Sequence, residues 1–370
     1  MTRSRAAKRA WLAVGATIVV GLLAACSASG GTSQGAASAG GSASSGAASP
    51  AASEGRAVVL VSGLATQTPY TTTTAKCTTG LSAGDSVSAL RDSLVAVGNR
   101  VYTAPAQAGP GVVESTSGMA ASSGCPPPLP ADLTINTTAG LDQGGAHLAT
   151  FLSYLHYHEG VTTVDLVGHS MGGLFARGAI GDVAGQAGSV KVRSLIALST
   201  PWTGTFPADY AEGILPLSVC GTEQFCLKVL PDYKAKLSAP EGPEGAANVI
   251  GTRDLQGPNG WNVSQGDDLA GIPVTLIGGD RFSRPGGLPS VWPNDGIVSK
   301  SSALAEGLAG APLAIRSCLV RPDVHTIGLA AELGLPWTAS VTWDPVVLAA
   351  VAKAVAGPVA GGQVATLGHC

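Results

Sequence analysis

A serine between two glycines is the residue in this chain best suited to covalent chemistry. Ser170 lies in the segment GHSMG at residues 168–172, directly after the apolar run 164–167 and before a helical pattern at 174–177. A strand that turns sharply on a serine and enters a helix exposes the serine Oγ, and glycines two residues before and after it remove side chains that would collide. This context predicts that Ser170 is a nucleophile rather than an idle serine in a glycine-rich turn.

The same Gly-x-Ser-x-Gly spacing recurs around Ser33, at residues 31–35. The chain holds 51 glycines among 370 residues, so chance matches to the pattern are expected. Neither an apolar run before Ser33 nor a helical pattern after it supports a similar turn. We predict no catalytic role for Ser33.

A nucleophilic serine needs a general base and a group that orients the base. Of the six histidines, two follow both Ser170 and the last apolar run: His325, in the segment 321–326, and His369, which lies in the C-terminal tail. His325 is therefore the candidate base. The alternative for His325 is a surface or capping histidine. Two carboxylates could orient it: Asp280 ends the apolar run 273–280, and Asp295 lies in an Asn-Asp-Gly tripeptide that is also good turn chemistry.

The residues around these groups predict the elements that hold them. Apolar runs that look like buried strands occupy residues 57–62, 100–104, 163–167, 192–198, 273–277 and 313–319. Helical spacing of apolar residues appears at 86–97 and 141–157. Strands that alternate with helices favour a doubly wound α/β sheet, whose active sites lie at the carboxyl ends of the strands.

The segment 168–173, the segment Ser-Thr-Pro-Trp-Thr-Gly at 199–204 and the order of strands resemble the α/β-hydrolase superfamily, and within it the bacterial triacylglycerol lipases and esterases. The resemblance implies an α/β-hydrolase fold: a mostly parallel sheet of about six or more strands, flanked by helices and carrying a cap or lid. It also implies acyl transfer to Ser170, with the acid and then the histidine following in the chain. The segment 293–299 is similar to the acid-bearing loop of these lipases, which favours Asp295 over Asp280.

The resemblance extends to the oxyanion hole and bears on metal binding. The expected donors are the N–H groups of Met171 and Leu64, although Ser62 stands where lipases usually have a histidine. Some lipases with this loop bind calcium through an acidic residue after the histidine, but residues 326–329 contain none. We therefore expect no metal and no cofactor.

The first 55 residues predict export and anchoring. Residues 1–10 carry four basic residues and no acidic one, and residues 11–25 are uncharged and apolar, which is typical of a signal peptide. The Leu-Ala-Ala-Cys segment that ends at Cys26 resembles the lipobox of bacterial lipoproteins, which implies lipidation of Cys26 and attachment to the outer face of the cell membrane. The alternative is an ordinary cleavage site beside an unrelated cysteine. Residues 26–55 form a Ser/Gly/Ala-rich linker, and we assign residues 56–370 to the catalytic domain, with a cap at about 203–271.

Charge and cysteine content agree with an exported protein. Because residues 1–25 hold four positive charges and no negative one, their removal would take the formal net charge from −3 to −7, which excludes a nucleic-acid-binding surface. Six cysteines remain besides Cys26, and sequence alone allows fifteen pairings. We favour pairing between cysteines that are neighbours along the chain: Cys77–Cys125, Cys220–Cys226 and Cys318–Cys370.

Together these features predict a monomeric, lipid-anchored, extracytoplasmic serine hydrolase that cleaves carboxylic esters. An acyltransferase or a polyester depolymerase would use the same residues, and a non-catalytic surface lipoprotein would use the cleft only to bind. The apolar stretches 214–217 and 225–230 could line an acyl pocket or form the core of a fixed cap, and we favour the core. Acyl chain length, the natural alcohol and any movement of the cap stay open at this point.

Overall fold

A sheet of six parallel strands forms the centre of the computed structural model, which describes residues 55–80, 86–114, 121–186, 188–237 and 250–357. The strands are β1 (Arg56–Val61), β2 (Val101–Thr103), β3 (Thr163–His169), β4 (Lys191–Leu198), β5 (Val274–Gly279) and β6 (Ile315–Arg321). Their order across the sheet is β6-β5-β4-β3-β1-β2, with every neighbouring pair parallel. The predicted doubly wound sheet is confirmed, and each strand end lies within two residues of its predicted position.

The chain changes direction across the sheet at β1. The next strand, β2, lies on one side of β1, while β3 lies on the other, with Val61 in register with Gly168. Helical connections that leave on opposite faces open a crevice beyond the carboxyl ends of the two strands at such a switch point. The loop after β1 and the turn after β3 border this crevice.

Helices cover both faces of the sheet. They are α1 (Ser86–Ala96), α2 (Leu141–Glu159), α3 (Met171–Val183), α4 (Phe206–Ala211), α5 (Gln224–Leu237), α6 (Thr252–Gln256), α7 (Trp261–Ser264), α8 (Lys300–Ala303), α9 (Ile327–Glu332) and α10 (Pro345–Ala356). Side chains of β1 alternate between the faces: Val59 packs into the cluster that includes residues of α2 and α3, and Leu60 packs into the cluster with α1 and α10. This two-residue period explains why a strand buried on both faces reads as a continuous apolar run.

Several short elements lie in or beside the region between β2 and α2. The pairs Thr78–Thr79 with Ser122–Ser123 and Ala106–Gln107 with Ile135–Asn136 form two small sheets, and a disulfide joins Cys77 to Cys125. Single turns of 3₁₀ helix lie at Ala131–Leu133, Leu217–Cys220 and Trp337–Ala339.

The chain between β4 and β5 holds α4 to α7 and forms a separate apolar cluster together with Val291 and Trp292, which follow β5; we call it the insertion cluster. The fully or mostly buried members are Phe206, Val219, Cys220, Cys226, Leu230, Val291 and Trp292. A disulfide between Cys220 and Cys226 lies inside it. The apolar stretches 214–217 and 225–230 contribute mainly to this core, although Ile214 remains 40% exposed.

Two of the three predicted disulfides, Cys77–Cys125 and Cys220–Cys226, are confirmed. Cys370, in the third predicted pair with Cys318, lies outside the described residues, as do Cys26 and the whole of the predicted signal peptide and linker up to residue 54. In the part of the chain that the structure describes, no helix has the length and apolar character needed to cross a membrane.

Candidate active site

Ser170 lies on the turn between β3 and α3 with a backbone φ of +56°, a conformation that residues with a side chain rarely adopt. Its main-chain N–H donates to the carbonyl of Leu198 at the end of β4 across 2.9 Å. The helix begins one residue later, at Met171, rather than at residue 174 as the helical pattern suggested. A strained residue held by the neighbouring strand is typical of functional positions.

The two glycines of the motif are required by close backbone approach. A Cβ on Gly168 would lie 2.5 Å from the nitrogen of Gly173, and one on Gly172 would lie 2.2 Å from the carbonyl oxygen of Val61. Distances this short leave no room for a methyl group. The strand, the turn and the first turn of α3 therefore depend on glycine at both positions.

The loop after β1 touches the serine from the other side of the crevice. A Cβ built on Gly63 would lie 2.7 Å from the Cβ of Ser170 and 3.0 Å from the nitrogen of Met171. Leu64 follows Gly63 directly, so the two N–H groups predicted to form an oxyanion hole belong to adjoining backbone segments. Ser62, which stands where lipases usually have a histidine, is buried, and its Oγ accepts a hydrogen bond from the hydroxyl of Thr68.

His325 and Asp295 form a buried pair beyond the ends of β5 and β6. The Nδ1 of His325 lies 2.7 Å from Oδ2 of Asp295, and the side chains are 5% and 0% exposed. A carboxylate only accepts hydrogen bonds, so Nδ1 carries the proton and Nε2 is left for proton exchange. The main-chain N–H of His325 also donates to the carbonyl of Asp295 across 2.9 Å.

The second oxygen of the Asp295 carboxylate is fixed by the turn that follows it. Its Oδ1 accepts hydrogen bonds from the N–H groups of Ile297 (3.0 Å) and Val298 (2.8 Å). Burial alone would raise the pKa of Asp295, but the charge of His325 and these hydrogen bonds hold the pKa below its usual range. Asp295 is therefore an ionised partner at neutral pH.

Asp280, the other carboxylate considered for this role, makes no hydrogen bond to His325 among the described contacts. Its main-chain N–H donates to Arg321, and burial raises the pKa of its carboxyl group against the charges of Lys300 and Arg321. The structure thus brings His325 to Asp295 and leaves Asp280 in a separate group of charges around Arg321.

The family comparison matches the part of the chain that contains Ser170. The model of a family described as "Putative serine esterase (DUF676)" matches residues 132–212, about a fifth of the chain, which run from before α2 into α4. The matched residues contain α2, β3, the serine turn, α3 and β4. The chain has the α/β-hydrolase fold, with its parallel six-stranded sheet, helices on both faces and a serine on the turn after β3.

Solved structures of bacterial proteins are similar to this chain at low identity. The mature form of the lipase BlEst2 from Bacillus licheniformis is 16% identical, with 77% of this chain and 92% of that chain covered and a TM-score of 0.40. The product of the gene lin2722 from Listeria innocua is 15% identical, covering 80% and 91%, with a TM-score of 0.39. Est1E from Butyrivibrio proteoclasticus is 15% identical, covering 82% and 86%, with a TM-score of 0.37. No curated protein matches this chain in sequence.

The insertion between β4 and β5 reaches the segment that carries Asp295. Phe225 at the start of α5 stacks on Phe282 with ring centroids 4.4 Å apart, and a Cβ on Gly296 would lie 3.2 and 3.3 Å from these two rings. Further along α5, Lys228 pairs with Glu332 on α9 across 2.7 Å. Helix α5 of the insertion therefore contacts both the segment that leads to Asp295 and the helix that follows His325.

Sequence reasoning assigned no role to His169, which lies inside the serine motif. Its buried ring lies 4.9 Å from the ring of His325, and its Nε2 is 2.9 Å from the carbonyl oxygen of His325. The sequence did contain one signal for a role of His169, which is its position directly before Ser170 at the end of a strand. A side chain at that position must lie close to any group that approaches the serine. The other histidines near α2 serve the fold: His147 and His156 bond to main-chain carbonyls of Thr134 and Val161.

Proposed function

We propose that this α/β-hydrolase cleaves carboxylic esters through an acyl-enzyme on Ser170, with His325 as general base and Asp295 as its partner. The observation that carries the proposal is the buried hydrogen bond between His325 Nδ1 and Asp295 Oδ2, at the same edge of the sheet as the strained serine. Each group has the chemistry its role requires: a partly exposed turn for the nucleophile, a base whose Nε2 is left for proton exchange, and an ionised acceptor.

The reaction then has two steps, acylation of Ser170 and hydrolysis of the acyl-enzyme. His325 takes the proton of Ser170 Oγ as that oxygen attacks the ester carbonyl, and the tetrahedral oxyanion accepts hydrogen bonds from the N–H groups of Met171 and Leu64. The carbon–oxygen bond to the alcohol breaks, and His325 gives its proton to the departing alcohol. Water then attacks the acyl carbon, His325 takes the proton of the water, and the acid leaves as Oγ of Ser170 is protonated again.

Asp295 contributes by holding the imidazole. Its carboxylate keeps the proton on Nδ1 of His325 and stabilises the imidazolium that forms in both halves of the reaction. The bonds from Ile297 and Val298 keep the carboxylate in place while His325 changes charge.

A fluorophosphonate probe tests the proposal directly, because it reacts with an activated serine and not with a pure binding protein. We expect labelling of the purified protein at one peptide, that of Ser170, and a loss of esterase activity by orders of magnitude in Ser170→Ala. Ser33→Ala serves as the control and is expected to keep full labelling and activity. An unlabelled, correctly folded wild type would support the binding lipoprotein instead, and an ester product formed with an added alcohol would favour an acyltransferase.

We further propose that the hydrolase is lipid-anchored through Cys26 on the outer face of the cell membrane. The basic and then apolar residues 1–25, the lipobox-like segment and the linker 26–55 support this location, as do two disulfides, which persist in oxidising compartments. Detergent phase partitioning of wild type and Cys26→Ser tests it: the wild type should enter the detergent phase and the variant the aqueous phase. Equal partition into water would contradict the anchor.

A further inference from the structure

An uncharged surface with two tryptophans lies beside the segment that carries His325. Trp337 and Trp343 make an edge-to-face contact with ring centroids 5.0 Å apart, and Trp337 is 38% exposed. The two tryptophans flank Ser340, which forms a β-bridge with Val324, the residue before His325. The surface therefore adjoins the candidate active site at the carboxyl edge of the sheet.

The chain around the two tryptophans presents apolar side chains to solvent. Val346, the second residue of α10, is 46% exposed, and Leu333, directly after α9, is 36% exposed. The only charged residue from position 333 to 352 is Asp344, which is buried and pairs with Arg321 across 2.7 Å. We call the exposed side chains of residues 333–349 the tryptophan surface. An exposed apolar surface of this kind marks a contact with a protein or a membrane.

The chemistry of this surface and the chain before β1 both favour a lipid partner. Tryptophan concentrates at membrane interfaces, because its ring packs against apolar groups while its N–H stays near water. Residues 11–25 are uncharged and apolar, and the proposed anchor at Cys26 would hold the domain beside a membrane. About 30 residues join Cys26 to β1, and a chain of that length can span up to about 100 Å. Because β1 begins at the amino edge of the sheet, this length allows the opposite edge to face the lipid.

We propose that the tryptophan surface docks on a lipid bilayer and turns the His325 side of the active site toward the membrane. The contact is apolar and needs no anionic headgroup, since the surface carries no exposed charge. The inference rests on the proposed function, because it gives that function a substrate class: esters embedded in the bilayer, presented to Ser170 at the membrane surface.

Quenching of tryptophan fluorescence by brominated lipid tests the contact. Wild type reconstituted into phosphatidylcholine vesicles should lose fluorescence when the acyl chains carry bromine. Val346→Asp keeps both tryptophans but places a charge on the surface, and it should reduce the quenching at least about twofold because a carboxylate enters lipid unfavourably. An aspartate in the first turn of α10 suits the positive end of the helix, so we expect the variant to fold.

Val263→Asp is the matched control. Val263 is 43% exposed on the short helix α7, and the neighbouring Trp261 packs against the apolar cluster on the face of the sheet opposite α10. This variant should be quenched as strongly as the wild type. Hydrolysis of an ester embedded in the vesicles should fall at least about fivefold in Val346→Asp alone, while a water-soluble short ester should be cleaved within about twofold of the wild-type rate by both variants.

Equal quenching of wild type and Val346→Asp, or no quenching of wild type, would overturn the inference. A dimer that cross-links on the vesicles in wild type but not in Val346→Asp, without quenching, would assign the surface to a second copy of the chain. Quenching that persists without fluorophosphonate labelling would support the membrane contact and reject the proposed function, so the two failures are distinct. If Val346→Asp does not fold, Thr338→Asp, at an exposed position beside Trp337, provides the same measurement.

Discussion

His169 donates a hydrogen bond from Nε2 to the main-chain oxygen of His325, across 2.9 Å. The carbonyl oxygen can only accept, so the proton of the His169 ring lies on Nε2. Burial, and repulsion from His325, lower the pKa of His169 to about 3, so its ring stays neutral at ordinary pH. The end of β3, which leads into Ser170, thereby also holds the backbone of His325.

Replacing His169 should damage turnover more than substrate binding. His169→Leu removes the donor and leaves the carbonyl of His325 buried without a partner, which costs about 1–3 kcal/mol. We expect kcat to fall roughly 10- to 100-fold with KM little changed. His169→Gln can place an amide N–H close to the same position and should retain activity within about threefold of wild type. Equal activity of the Leu and Gln variants in steady-state kinetics would show that the hydrogen bond is unimportant.

Removing the charge of Asp295 and removing that of Asp280 should have different effects on turnover. Asp295→Asn keeps the shape of the side chain but favours the wrong tautomer of His325, a change that costs about four orders of magnitude in a serine protease triad. Asp280→Asn, measured at pH 6 to 6.5, should stay within about threefold of wild type. Kinetics with one short nitrophenyl ester, with circular dichroism as the check on folding, give the answer. A near-normal Asp295→Asn beside an inactive Asp280→Asn would reverse the assignment.

Two glycines of α3 should respond in opposite ways to the same substitution. Gly172→Ala forces a methyl group to within 2.2 Å of the carbonyl oxygen of Val61, so we expect a loss of about 3 kcal/mol in the free energy of unfolding, or no folding at all. Gly178→Ala meets only ordinary contacts, the nearest at 3.5 Å, and should stabilise the helix by up to about 1 kcal/mol. Chemical denaturation of both variants measures the difference. A folded Gly172→Ala of wild-type stability would contradict the packing described for the serine turn.

The two described disulfides should differ in their effect on stability. Closing a loop restricts the unfolded chain more when the loop is longer, and the sequence separations are 48 for Cys77–Cys125 and 6 for Cys220–Cys226. Paired Cys→Ser substitutions should therefore cost about 4 kcal/mol at the first bridge and about 2 kcal/mol at the second. Denaturation curves for the two double variants test the order. A larger loss at Cys220–Cys226 would mean that the bridge acts mainly through the folded insertion.

The sequence predicted the place in the fold of a candidate residue wherever that residue directly follows a buried strand. Ser170 ends an apolar run, so its position at the edge of the sheet could be predicted from local pattern alone. The choice between Asp280 and Asp295 could not, because both follow the same strand. It depends on the path of the chain between them, where Phe282 and Asn294 exchange main-chain hydrogen bonds and return Asp295 to the edge.

The contact of His169 lay beyond any local pattern for a similar reason. His169 and the carbonyl that it binds are 156 residues apart in the chain. Hydrophobic periodicity specifies which side chains are buried, but not which buried polar groups meet.

The insertion cluster also has a consequence for engineering this protein. The carbonyl of Val219 accepts hydrogen bonds from both Arg284 and Trp292, and Trp292 is three residues from Asp295. The insertion and the acid-bearing loop are thus one interlocked part, built from two distant stretches of chain. A chimaera that exchanged only the segment between β4 and β5 would lose the contacts of Val219 with Arg284 and Trp292, which support the segment that leads to Asp295. Residues 282–292 would therefore have to be transplanted with it.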